Sequence, residues 1–343
     1  MTLAPNSVMV RFYNNEHKDW FYSLFLSPYG IKSLQLISSS TAQGKFNKTD
    51  FKKILIPIPP LDEQKRINDK LDSLYPIVED YSIAHDRLEI LNKEIKNDLK
   101  KSILQEAIQG KLVTQCKTDE PASKLLEQIR FEKERLVKEG KIKKSALNDS
   151  IIFKGDDNKY FEKRGKDLVC IDDEIPFEIP NSWIWVRLGT IYSHCTGKAL
   201  NSSNRNGMVL EYITTSNLYW NRFVLGKLRT MPFTDEELEK CTIRKGDLLV
   251  CEGGDIGRAA IWDYDYEMRI QNHIHKLRGF IPLCTMFFYY VLYLYKHSGM
   301  IGGKGIGIQG LSSGALHKLL VPLPPIAEQE RIVKAIDRLW QVL

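Results

Sequence analysis

Lys53-Ile54-Leu55-Ile56-Pro57-Ile58-Pro59-Pro60-Leu61-Asp62-Glu63-Gln64-Lys65-Arg66-Ile67 returns 265 positions later as Lys318-Leu319-Leu320-Val321-Pro322-Leu323-Pro324-Pro325-Ile326-Ala327-Glu328-Gln329-Glu330-Arg331-Ile332. Each copy joins a short apolar strand to a helix start. Proline neither extends a helix nor donates to a sheet ladder, so P-x-P-P ends the strand. The Glu-Gln pair then falls in the first helical turn, where a carboxylate suits the dipole and caps free amides. A boundary written twice predicts two equivalent modules.

Behind the first copy the pattern is helical from residue 61 to about 111. Ile67, Leu71, Leu74, Val78, Tyr81, His85, Leu88, Asn92, Ile95, Leu99 and Ser102 alternate steps of four and three, the spacing of a coiled-coil stripe. One long helix is the simplest reading, kinked at Pro76 and stopped at Gly110, and its seam requires an apolar partner. Residues 121–139 predict a second helix with Asp119 or Ser123 as cap. Its crowded charges read as a solvated face with no chemistry. Residues 112–174 are thus a charged helix and connector, and residues 140–167 look exposed, polar and loop-like.

From residue 179 the texture changes to short apolar runs with turns. Strands are predicted at 184–188, 209–214, 247–251, 259–262 and 269–277, and helices at 234–241 and 285–296. This is a compact mixed α/β (α+β) domain, placed at residues 175–325. It closes at the second P-x-P-P, and residues 326–343 start another amphipathic helix. Residues 1–60 match only the closing part of that domain: Phe21-Tyr22 parallels Phe287-Phe288-Tyr289, Gln43-Gly44 parallels Gln309-Gly310, and 51–60 parallels 316–325.

At 343 residues with 43% hydrophobic composition the chain is long enough for about two folded domains. No apolar run reaches membrane-spanning length and no secretion signal is legible, so the expectation is a cytoplasmic chain without a membrane partner. Six scattered cysteines, with no C-x-x-C, read as reduced thiols rather than a zinc site. Net charge is +6. Residues 181–325 hold 16 Lys and Arg against 11 Asp and Glu, so one module carries most of the excess.

A search for catalysis returns little. Gly305-Ile306-Gly307-Ile308-Gln309-Gly310 matches G-x-G-x-x-G but lacks the strand-to-helix setting of a dinucleotide site. The glycine-rich run at 299–304 lacks the residues of a phosphate loop. Neither Pro-Pro pair belongs to the N-P-P-[YF] tetrapeptide of base methyltransferases. Residues 252–258, with Glu252 and Asp255 among three glycines, read as a tight strand-to-strand turn rather than a metal loop. His273 and His275 alternate in a strand and point to opposite faces. No catalytic residue, metal or cofactor is assigned.

What remains is recognition equipment. Residues 196–207 offer Lys198, Asn201, Ser203, Asn204 and Arg205 in a loop with almost no apolar anchor, types that bond phosphates and base edges. Thr215, Asn217 and Arg222 form a second polar cluster, and Arg258, Arg269, Asn272 and Lys304 punctuate later loops and strand ends.

These features together resemble the specificity subunit of type I restriction-modification enzymes. The resemblance rests on the two P-P-x-x-E-Q boundaries, on Leu99-Lys100-Lys101-Ser102-Ile103-Leu104-Gln105-Glu106-Ala107-Ile108-Gln109-Gly110-Lys111-Leu112, and on Ile179-Pro180-Asn181-Ser182-Trp183-Ile184-Trp185-Val186-Arg187-Leu188-Gly189. Gly246-Asp247-Leu248-Leu249 with Gly257-Arg258 adds to it. It implies two target recognition domains, each reading half of a bipartite double-stranded DNA site. They are joined by central and distal conserved helices that form an antiparallel coiled coil and dock methyltransferase subunits, and through them the restriction subunit. Methyl transfer and cleavage then belong to partner chains that use S-adenosylmethionine, ATP and magnesium.

On that pattern residues 1–60 are the remnant of a first recognition domain, 61–111 the central helix, and 326–343 only the start of the distal helix. Ile67, Leu71, Leu74, Val78, Leu88, Ile95 and Leu99 are left as candidate interface positions for a modification subunit or a second copy of the chain. Two other readings have the same build: the specificity region of a fused methyltransferase-nuclease, and a scaffold that does not bind DNA.

Overall fold

The computed structural model describes residues 9–38, 46–200, 206–301 and 311–343. The chain divides into two compact units, residues 1–94 and 95–343. In the first, α1 (Lys18–Leu26) and α2 (Pro28–Leu36) are separated by Ser27, whose hydroxyl accepts from the Gly30 N–H. Pro28 takes the first helical position, where no N–H is needed. A single turn, α3 (Lys48–Phe51), is capped by Asn47, and Phe51 stacks on both Phe25 and Phe46 at 5.6 Å. Residues 54–60 run extended into α4 (Leu61–Ile108).

Gln64 shows what the repeated motif does. It is buried, its Nε2 donates to the Pro59 carbonyl at 2.6 Å, and its Oε1 meets Nδ1 of His17, the residue capping α1, at 3.0 Å. The glutamine ties the proline turn to the start of the aromatic helix.

α4 runs for 48 residues with Pro76 inside it. Between residues 74 and 99 its apolar side chains stand exposed, Leu88 at 57% and Ile95 at 53%. Its last turns differ: Leu104, Ala107 and Ile108 are buried in the second unit's core. Gly110 then stops the helix in the left-handed conformation (φ 71°), where a Cβ would lie 2.4 Å from Pro180.

The second unit is the α+β domain expected. α5 (Ala122–Lys138) precedes a three-stranded antiparallel sheet of β1 (Ile151–Lys154), β2 (Tyr160–Arg164) and β3 (Asp167–Cys170). Next come β4 (Ile184–Arg187), the turn α6 (Leu188–Ile191), β5 (Tyr192–Thr196), β6 (Met208–Ile213), the ribbon β7 (Leu218–Tyr219) with β8 (Arg222–Phe223), and β9 (Arg229–Phe233). α7 (Asp235–Cys241) opens on a capping box between Thr234 and Glu237. β10 (Thr242–Ile243), β11 (Leu248–Cys251), β12 (Ala259–Ile261), β13 (Met268–Ile270) and β14 (Ile274–Gly279) complete two four-stranded sheets, ordered β10-β13-β6-β9 and β12-β11-β14-β5. The aromatic helix α8 (Thr285–His297), α9 (Ser313–Lys318), β15 (Leu320–Leu323) and α10 (Ile326–Val342) close the unit.

β15 pairs antiparallel with β4, the Ile184-Trp185-Val186-Arg187 run, and Val321 and Leu323 are fully buried there. Gln329 repeats Gln64: its Nε2 donates to the Pro324 carbonyl at 2.9 Å, and its Oε1 accepts from the N–H of Cys284, which caps α8, at 3.2 Å. α10 lies antiparallel to the end of α4. Glu328 at its start bonds Gln115 and, at 2.9 Å, the Trp183 indole, while Trp340 near its end takes Lys100 over its ring at 5.3 Å.

Four local expectations are corrected. Residues 140–167 are not simply a connector, because β1 and β2 lie within them and Ile152 and Tyr160 pack with Trp185 and Leu320. α5 has no side-chain cap; Pro121 stands at its N-terminus, and Asp119 instead forms a two-pronged pair with Arg331. Nor is α5 only a solvated face. Lys133 is buried, bonding Asp149 at 2.7 and 2.8 Å and the Thr190 carbonyl at 3.1 Å. The single strand expected at 269–277 is broken at Gln271: β13 pairs in parallel with β6, and β14 pairs antiparallel with β11. One apolar run therefore serves two sheets.

Candidate nucleic-acid interface

The polar positions singled out in the sequence fall into three groups. Asn201, Ser203, Asn204, Arg205 and Lys304 lie outside the described residues. Lys198, Arg269 and Asn272 gather where the 196–207 loop leaves β5. Thr215, Asn217, Arg222 and Arg258 gather around the β7–β8 ribbon.

Lys198 does not stand free in its loop. Its backbone bridges to β13, donating to the Ile270 carbonyl and accepting from Asn272 N–H. Its ammonium is buried, 2.6 Å from both the Pro232 carbonyl and Glu237 Oε2, and 5.5 Å from the Phe233 ring centre. Hydrogen bonding to that ammonium, first among its contacts, holds the Glu237 carboxyl below the usual carboxylate range. Lys198 is the root of the loop. Gly197 beside it is required by close approach, since a Cβ would lie 2.2 Å from the Ile270 carbonyl. Asn272 meets Lys198 only through backbone, and Arg269 on β13 donates weakly to the Glu267 carbonyl at 3.4 Å.

Asn217 is likewise engaged internally. Its Oδ1 accepts from the Thr214 N–H and hydroxyl at 2.9 Å, and its Nδ2 donates to the Val224 carbonyl, closing the turn before β7. The ribbon tip is fixed next. Trp220 packs on Tyr293 and His297 of α8 at 4.8 and 5.3 Å, and Asn221 adopts the left-handed conformation (φ 49°) that asparagine tolerates.

This anchoring sets two guanidinium groups close over the Tyr219 ring. Arg222 lies 5.2 Å and Arg258 5.0 Å from the ring centre. Arg258 comes from the turn between β11 and β12 and donates through Nη2 to the Thr215 carbonyl at 2.7 Å. Its Nε is buried without a hydrogen-bond partner among the described residues. Arg222 is exposed. Two positive planes on an aromatic ring, one of them open to solvent, make a surface suited to phosphate or a stacked base. Tyr219 and Trp220 were not among the residues singled out in the sequence. Their signal is an aromatic pair inside a two-strand ribbon, which composition does not separate from core.

Residues 252–258 form the expected turn between antiparallel β11 and β12, with Gly254 and Gly257 at positive φ. Among the described residues, no group of three or more His, Cys, Asp or Glu side chains converges as a metal site. None of the helices there is long and apolar enough to cross a membrane.

The sequence matches a known protein family and several relatives within it. A family described as "Type I restriction modification DNA specificity domain" matches residues 3–81 and 180–342. The type I restriction enzyme EcoAI specificity subunit of Escherichia coli is 29% identical over 92% of this chain and 58% of its own length. The EcoEI specificity subunit, also from Escherichia coli, is 28% identical over 71% of this chain and 40% of its own. Among solved structures, the HsdS subunit from Thermoanaerobacter tengcongensis matches with a TM-score of 0.49 and 20% identity, over 94% of this chain and 62% of that one. The chain therefore spans less than two thirds of the length of these relatives.

Proposed function

Because this chain belongs to the type I restriction-modification DNA specificity family, we propose that it is a non-catalytic, sequence-reading subunit that binds one or both halves of a bipartite double-stranded DNA target. The observation that carries this reading is the pairing of Arg222 and Arg258 with the Tyr219 ring on the module that carries most of the chain's net positive excess. In it, Arg222 and Arg258 clamp phosphate and fix register, while the loop from Lys198 through Asn201, Ser203, Asn204 and Arg205 reaches base edges, with Lys198 as its anchor. Thr215, Asn217, Arg269, Asn272 and Lys304 are further candidates for contact with the duplex.

The recognition module takes in residues 122–171 as well as 175–325, since α5 and the β1–β3 sheet share its core residues. Residues 1–60 are the closing portion of an equivalent module. The exposed seam of α4, including Leu74, Val78, Leu88, Ile95 and Leu99, docks methyltransferase subunits in the cytoplasm, and through them a restriction subunit, or a second copy of this chain. Methyl transfer and cleavage belong to those partners.

The test is selection from random-sequence duplex by the full chain, with and without a modification subunit. A single enriched motif is expected. Arg205→Ala and Asn204→Ala should relax it, whereas Arg222→Ala should weaken all sequences alike, by roughly tenfold. An unenriched pool under both conditions refutes the reading.

A further inference from the structure

The stretch 130–167 holds 12 Lys and Arg against 8 Asp and Glu, a local excess of four positive charges. Its inner cations are neutralised by the fold. Lys133 donates to both Asp149 oxygens and to the Thr190 carbonyl, and Arg187 of β4 directs its guanidinium at Glu162, Glu174 and the Lys318 carbonyl. The outer cations are not neutralised. Lys143, Lys144 and Lys318 are exposed and meet no carboxylate among the described residues. Arg164, also exposed, lies 3.7 Å from Glu162, whose oxygens Arg187 already holds at 2.6 and 3.2 Å.

These four cations share one cleft. Between α5, β5 and α9 a hollow of about 540 Å³ is lined by Ile142 and Ser145 from the segment after α5, and by Arg164, His317 and Lys318. Lys143 and Lys144 stand between Ile142 and Ser145 in the chain, on its lip. The one carboxylate lining the hollow, Asp149, is bonded to Lys133. A neighbouring hollow of about 820 Å³ shares Arg164, Arg187 and Lys318, and there Glu162 and Glu174 are bonded to Arg187 while Asp167 adds an unshared negative charge. Positive potential therefore concentrates at the first hollow. Unpaired cations around a concave surface raise the local concentration of anions, and a phosphodiester satisfies them while keeping its own solvation.

We propose that Lys143, Lys144, Arg164 and Lys318 form a second nucleic-acid contact, which holds the phosphate backbone of duplex DNA whatever its sequence. Its chemistry differs from that of the ribbon: lysine point charges around a hollow, rather than guanidinium planes on an aromatic ring. The inference rests on the duplex binding proposed above and adds to it an anchor that reads no base.

The full chain is titrated with two duplexes of equal length and unrelated sequence across a salt series, and its lysines are mapped by acetylation and mass spectrometry with and without duplex. Both duplexes should protect Lys143, Lys144 and Lys318. Replacing the three together, Lys143→Ala, Lys144→Ala and Lys318→Ala, removes no side-chain bond of the folded chain. It should lower the log–log salt slope by about three for both duplexes and leave any enriched motif unchanged. An unchanged slope with these lysines unprotected overturns the proposal. Protection by inorganic phosphate but not by duplex overturns it too, since the cleft would then hold only a small anion. A random-sequence pool that shows no enrichment, while both duplexes still protect the three lysines, sustains this contact and refutes only the sequence-reading role.

Discussion

His194 and His275 meet inside the second unit, His194 Nε2 lying 2.8 Å from His275 Nδ1, while His275 Nε2 faces the Leu311 carbonyl at 2.7 Å. His317 stacks edge-on against His194 at 4.9 Å. Burial first, then the neighbouring imidazoles, pushes the His194 pKa down to about 3, and burial lowers that of His275 as well. Both are neutral in the folded protein and titrate near 6.5 when unfolded. The unfolded state therefore binds more protons below that value, and stability falls as pH drops through 6.5 towards the folded pKa. Urea denaturation between pH 7 and 5 should show this decline, and His194→Asn should flatten it by about one proton, roughly 1.4 kcal/mol per pH unit. Nothing in the sequence marked this contact, because the two residues are 81 positions apart. Lys133 and Lys198 teach the same lesson. Each sits in a charged or polar stretch that reads as solvated, and only Asp149 and Glu237, brought in by other elements, make their burial tolerable.

Legibility at the level of elements followed periodicity and punctuation. The P-x-P-P joints, α4 and α8 were readable because proline chemistry and long apolar repeats depend on neighbours in sequence. The β1–β3 sheet was not: its strands are four or five residues long, mostly exposed, and set in a polar stretch of the chain. The division of 269–277 between two sheets is a tertiary event with no local code. The α4 seam was readable as apolar, and its side chains stand exposed in the structure. Full-length chain at micromolar concentration should sediment as a species heavier than its 39.6 kDa monomer or bind a modification subunit. Leu88→Asp with Ile95→Asp should abolish both associations while leaving helix content by circular dichroism unchanged. Monodisperse monomer that ignores the modification subunit would contradict a docking role for the seam.

For the molecule as a whole, residues 181–325 carry +5 of the net charge of +6, so the duplex binding proposed above should weaken as salt rises. Log–log plots of binding against salt should be linear, and Arg222→Ala should reduce the slope by about one if its guanidinium neutralises a single phosphate. An unchanged slope with a relaxed sequence preference would move Arg222 from clamp to reader. The joint between module and helix has a consequence of a different kind. Gln64 and Gln329 each draw their bonds from a proline five residues earlier and from the residue capping the aromatic helix. Each of these partners lies in the proline turn or at a helix start, so the joint closes in the same way at both copies. Replacing the segment that precedes one joint by the segment that precedes the other would therefore leave the proline turn and the helix start as they are.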